Sequence, residues 1–144
     1  MPHWRADDVI YFVTFRHRRD LSLEECECLK FGLAKADGKQ WDLLIACVLP
    51  GQTDLMFRVG DAPDGRPYEL SQIVEKVKSR VGKQIIKRTE ERFSPFYGES
   101  YDRIVRDDLE FETRWQEILD SPVTHELCES PEDYTGLFVA NHEN

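Results

Sequence analysis

No stretch of this 144-residue chain is apolar for long enough to span a bilayer, which excludes a membrane helix from the expectation. The opening Met1-Pro2-His3-Trp4-Arg5 lacks the apolar core of a secretory signal, so the cytoplasm is the default location. Cysteine is sparse and poorly spaced: Cys26, Cys28, Cys47 and Cys128 contain no CxxC pair. Cys26 and Cys28 fall in a helix-like stretch, where residues two apart point about 200° from one another and could hardly share one metal. His125 near Cys128 makes no zinc pattern, and free thiols are the expectation. His3, His17, His125 and His142 have no paired spacing and read as surface residues. Repeats and low-complexity segments are absent too, leaving a single domain over 1–144 with a modest core.

An excess of positive charge is also missing. The net charge of -9 argues against a protein that simply coats nucleic acid. Residues 99–144 hold thirteen Asp and Glu against only Arg103, Arg106 and Arg114, so the acidity belongs to the C-terminal third. The remainder is about neutral and has room for a basic face.

What is present is a regular alternation of elements. Val9 to Phe15 is rich in β-branched and aromatic residues and reads as a central strand. Ser22 and Glu25 predict a capping box for a helix carrying Cys26, Leu29, Leu33 and Ala36, closed by Asp37-Gly38. Trp41 to Leu49 and Thr53 to Val59 read as a hairpin around Pro50-Gly51, followed by a Pro/Gly-rich loop at 61–67. Leu70, Ile73, Val74, Val77, Val81 and Ile85 mark an amphipathic helix. Ser100 to Arg106 fits a short strand and Leu109 to Leu119 a last helix, with Pro122 and an acidic tail beyond it. The order β-α-β-β-α-β plus a helix predicts an α+β, ferredoxin-like fold: an antiparallel sheet with the two main helices on one face and a C-terminal helix.

The residues of the hairpin turn, Leu49-Pro50-Gly51-Gln52-Thr53-Asp54, resemble the metal-holding hairpin of the HUH single-strand DNA transposases, the REP-associated tyrosine transposases in particular. Three further segments are similar to that family in the same order. They are His3-Trp4-Arg5 with Tyr11 to Arg16, the helix from Leu70 to Ile86 with Val77-Lys78-Ser79, and Tyr101-Asp102-Arg103-Ile104-Val105-Arg106-Asp107. The resemblance implies strand cleavage and transposition of DNA. Two histidines and a third polar ligand would hold a divalent metal, and a tyrosine of the last helix would attack the phosphate.

Carried over residue by residue, the histidine positions fall on Gln52 and Asp54, the tyrosine position on Glu117 and the third ligand on Ser121. The resemblance therefore implies a degenerate site with no catalytic residues and no metal cofactor. Tyr97 and Tyr101 lie nearby, with Tyr101 expected to pack in the sheet.

The basic concentration comprises Arg16, Arg18, Arg19, Lys76, Lys78, Arg80, Lys83, Lys87, Arg88 and Arg92. Of these, Arg16, Arg18, Arg19, Lys76, Lys78, Lys83 and Lys87 are the candidate nucleic-acid contacts. Lys76, Lys83 and Lys87 share one side of the helix, while Lys78 and Arg80 are expected to spread away. The resulting expectation is a transposase-like protein that does not cut but binds single-stranded or hairpin DNA, with a homodimer open and no membrane partner. The alternatives are a protein-interaction module working through the acidic C-terminal third, and a metal-dependent endonuclease using Asp54 and Glu117.

Overall fold

Side chains of β1 (Ile10–Arg16) alternate between two buried faces, as a central strand requires: Val13 and Phe15 enter one apolar cluster, Ile10 and Phe12 the other. This is a computed structural model describing residues 9–35, 41–59 and 70–140. The expectations for His3-Trp4-Arg5, Asp37-Gly38 and the 61–67 loop lie outside the described residues. Along the chain, α1 (Leu23–Lys35), β2 (Trp41–Val48), β3 (Gln52–Val59), α2 (Leu70–Thr89), β4 (Tyr101–Ile104), α3 (Asp108–Thr124) and β5 (Leu137–Val139) follow. The five strands form one antiparallel sheet in the order β4-β1-β3-β2-β5. Its first four strands have the expected ferredoxin-like arrangement.

The hairpin needs one irregularity to feed both faces. Between Leu43 and Ile45 the β2–β3 register shifts, so Leu44 is an extra residue on β2. Leu43, Ala46 and Val48 consequently face one cluster, whereas Leu44, Ile45 and Cys47 face the other.

On one side of the sheet α1 and α2 cover Val13, Phe15, Leu55 and Phe57 with Leu29, Leu33, Val77, Val81 and Ile85. The capping box forms as predicted: Ser22 Oγ accepts from the Glu25 amide at 3.1 Å, and Glu25 Oε1 from the Ser22 amide at 2.9 Å. The two helices approach closely because residue 32 is glycine; a Cβ there would meet Val81 Cγ2 at 2.7 Å.

On the other side, α3 lays Phe111, Trp115 and Ile118 over Ile10, Phe12, Leu44 and Met56. This helix is longer than the sequence suggests. Asp107 caps it, its Oδ1 accepting from the Glu110 amide at 2.8 Å, and it continues through Pro122 to Thr124. Proline cannot donate to the Ile118 carbonyl, but the Ser121 hydroxyl does so at 3.0 Å.

The acidic tail is also not a tail throughout. After a short 3-10 turn at Pro131–Asp133, β5 pairs with β2. The buried Tyr134 hydroxyl donates to the Val48 carbonyl at 2.6 Å, and Gly136 passes so close that a Cβ would lie 2.5 Å from the same oxygen. Three residues of strand are held by contacts that no local pattern announces. No helix of the described residues is long and apolar enough to cross a membrane.

Candidate functional site

Residues opposite one another in neighbouring strands share a sheet face, so the registers define rows across the molecule. On the α3 face one row reads Arg103, Phe12, Met56 and Ile45, apolar at its centre and covered by α3. The next row reads Tyr101, Thr14, Asp54, Cys47 and Leu137, and the row beyond begins with Arg16 and Gln52. The face thus turns from apolar to polar over one step of the pleat. At this polar end Thr14, Arg16, Gln52, Tyr97, Ser100 and Tyr101 border a cleft of 680 Å³. A second hollow of 400 Å³ adjoins it at Arg16 and Gln52 and extends past Pro50 to His125.

Gln52 and Asp54 stand two residues apart on β3 and therefore point to this one face. The Gln52 amide nitrogen donates to both Asp54 oxygens, at 3.2 and 3.1 Å. α3 crosses the same face, yet its two candidate residues turn to other partners. Glu117 is exposed and meets Arg114 at 3.4 Å, whose guanidinium lies 4.8 Å over the Phe12 ring. Ser121 is buried and committed to the Ile118 carbonyl. Burial pushes the nearby Cys47 thiol up to about 12, with Ser121 acting in the opposite direction. In this arrangement the Gln52 amide is aimed at its neighbouring carboxylate, the Glu117 carboxylate is paired with arginine and the Ser121 hydrogen is given to the backbone. Among the described residues no three His, Cys, Asp or Glu side chains gather as a metal-holding group.

The seven basic candidates fall into separate places. Arg16 opens onto the cleft on the α3 face. Arg18 Nε donates to the Ser94 carbonyl at 3.1 Å, and its guanidinium stacks 4.6 Å over Tyr97. Arg19 makes paired bonds of 2.8 Å to both Glu25 oxygens and also holds Glu91, so the carboxylate of Glu25 is lowered to about 2. Lys78 is only 3% exposed: its ammonium donates to Glu75, to the Glu99 carbonyl and to Ser100, and sits 4.7 Å over the Phe15 ring. It is a tie between α2 and the 99–100 segment, under the helix and away from its solvent side. Lys76, Lys83 and Lys87 are exposed on the outer side of α2 and hold no ion pair with any described residue. Arg80 joins them instead of spreading away, since it lies beside Lys76 and Lys83 along one shallow groove. This stripe is on the side of the sheet opposite Gln52 and Asp54.

Two features escaped the sequence reading. His17 is buried, not on the surface: Nδ1 donates to the Pro50 carbonyl at 2.7 Å, Nε2 accepts from the Thr53 hydroxyl at 2.8 Å, and burial lowers its pKa. Continuing the alternation of Val13 and Phe15 by one step places residue 17 on the α1/α2 face, which was the available signal. Tyr101, expected to pack in the sheet, is 56% exposed because β4 is an edge strand. Phe93 and Tyr97 are exposed beside it in sequence, both under the Arg18 guanidinium.

No family model matches the chain, and no curated protein matches it. Among solved structures it is similar to that of the REP-associated tyrosine transposase bound to a REP hairpin, with a TM-score of 0.66 and 16% sequence identity. The likeness covers 93% of this chain and 80% of that one. At that identity it shows the fold alone: this chain has a transposase-like α+β fold.

Proposed function

We infer that the protein binds structured or single-stranded nucleic acid and does not cut it. The observation that carries this reading is the internal pairing of the residues at the metal and nucleophile positions. Gln52 is hydrogen-bonded to Asp54 and Glu117 is paired with Arg114, in a fold similar to that of a transposase bound to a REP hairpin. Binding is supported by the stripe of Lys76, Arg80, Lys83 and Lys87, whose solvated cations would displace counterions from phosphates without reading sequence. The net charge of -9 is compatible with this, because the excess acid lies in residues 99–144 and the stripe precedes them.

The test is binding of a labelled DNA hairpin as salt is raised. Charge reversal at Lys76, Lys83 and Lys87 together should weaken binding across sequences and lower the slope of log K against log salt by about one per residue. Unchanged affinity and slope would remove the stripe from the interface.

A second reading has its own support. Leu109 is 73% exposed at the rim of a groove that it shares with Glu112, Gln116, Glu117 and Asp120, an apolar contact framed by acid. Retention of a basic protein partner by a chain that binds no hairpin at low salt would favour that surface.

A further inference from the structure

The nucleic-acid reading leaves unexplained a concentration, at the end of the sheet, of exposed rings and of arginines that form no ion pair with a described residue. Phe93 is 61% exposed, Tyr97 41% and Tyr101 56%, within a nine-residue stretch that follows α2 and leads into the edge strand β4. Their neighbours are arginines. Arg18 lies 4.6 Å from the Tyr97 centroid and 5.9 Å from that of Phe93, and Arg92 lies 5.6 Å over Phe93. Arg16 opens into the cleft beside Tyr97 and Tyr101. None of Arg16, Arg18 and Arg92 forms an ion pair with a described residue, whereas the adjacent Arg19 holds two carboxylates.

A core has no use for these rings, and a surface arginine gains little from standing over an exposed ring unless something flat covers both. The backbone beneath them is fixed. The Arg18 amide donates to the Pro95 carbonyl at 2.6 Å, His17 bridges to Phe96, and Lys78 holds the Glu99 carbonyl and Ser100 from below. The platform is therefore preformed and needs little ordering when a ligand arrives.

We propose that this cleft, bounded by Arg16, Tyr97 and Tyr101 and flanked by Arg18 over the Tyr97 ring, seats unpaired nucleobases of a single strand. The rings and guanidinium planes stack on the bases, and the arginines neutralise the flanking phosphates. Rings accept any base by its π face, and a cation beside the ring strengthens the stack. A duplex keeps its base faces covered and could offer only its ends. The proposal rests on the nucleic-acid reading above but uses the sheet end, not the α2 stripe. Glu99 is the one carboxylate on the cleft rim among the described residues.

The experiment compares a labelled thymidine decamer with an abasic decamer of equal length and charge, by fluorescence anisotropy at low salt. The natural chain should bind the base-bearing strand at least about fivefold more tightly. That advantage should vanish in the double variant Tyr97→Ala/Tyr101→Ala and persist in Tyr97→Phe/Tyr101→Phe, which keeps the rings and controls for folding. Glu99→Gln should tighten both strands. Equal affinity for the two decamers would overturn the base seat while leaving phosphate binding intact. So would an advantage that survives the alanine variant, or one that is lost in the phenylalanine variant. No binding of either decamer or of a hairpin would defeat the proposal together with the reading beneath it.

Discussion

On the α1/α2 face the polar groups His17, Thr53 and Lys78 are each less than a tenth exposed and hydrogen-bonded to one another or to backbone, whereas on the α3 face Arg16, Gln52 and Tyr101 open onto a cleft. The two sets are neighbours along the chain: Arg16 and His17 are consecutive, as are Gln52 and Thr53. Burial with full satisfaction marks a polar group whose work is to hold the structure, since leaving it unpaired in a core costs free energy. A polar group left in a cleft with spare hydrogen-bonding capacity marks a surface for something else. The comparison also separates lysines that look alike in sequence, because Lys78 belongs to the first class and Lys76, Lys83 and Lys87 to the second.

Truncating Lys78 should have the largest effect on stability. Lys78→Ala removes a buried ammonium and its three partners and should cost about 3 kcal/mol in denaturant unfolding, while Lys78→Met, which keeps the packed stem, should cost about 1 kcal/mol. A near-neutral Lys78→Ala would erase the distinction between the two faces.

Glu25 comes next. Its carboxylate is held at about 2 by the Arg19 guanidinium first and by the Ser22 cap after it, against an ordinary 4.5. A lowered folded-state pKa stabilises the fold above 4.5, and that stabilisation is lost as pH falls from there toward 2. Because Arg19 is a third exposed, solvent weakens the pair, and Glu25→Gln should cost about 2 kcal/mol at neutral pH. Unfolding of the natural chain and of the variant should converge in acid, and a constant gap between pH 7 and pH 2 would assign the loss to packing instead.

The smallest effect on stability belongs to the open face. Arg16→Ala should leave unfolding within about 0.5 kcal/mol. It should nevertheless weaken hairpin binding measurably, the reverse of what Lys78→Met should do.

Much of this was legible in the chain. The β-branched and aromatic run of β1, the Ser22/Glu25 capping box and the apolar stripe of α2 each express a local rule, and each element formed where its rule put it. Lys78 was legible as well, since Val74, Lys78, Val81 and Ile85 recur at intervals of four, three and four on the packed arc, as Lys76, Arg80, Lys83 and Lys87 do on the outer one. Reading the lysines by charge alone concealed both stripes. The bulge at Leu44 and the strand β5 were not legible. Each is fixed by partners distant in sequence, Met56 for the bulge and Val48 for Tyr134 and Gly136, and neither leaves a periodic signature. Pro122 misled because the Ser121 hydroxyl restores what proline removes, a compensation visible only in the folded helix.

The proposed function gives this transposase-like fold a nucleic-acid surface without the means to cut. Its most direct test is a labelled single-stranded DNA hairpin incubated with the protein and Mn²⁺, then divided between a native and a denaturing gel. A shifted band that disappears on raising salt is expected on the native gel, and intact free hairpin with no protein-linked DNA on the denaturing one. A covalent protein–DNA band or a nicked product on the denaturing gel would contradict it.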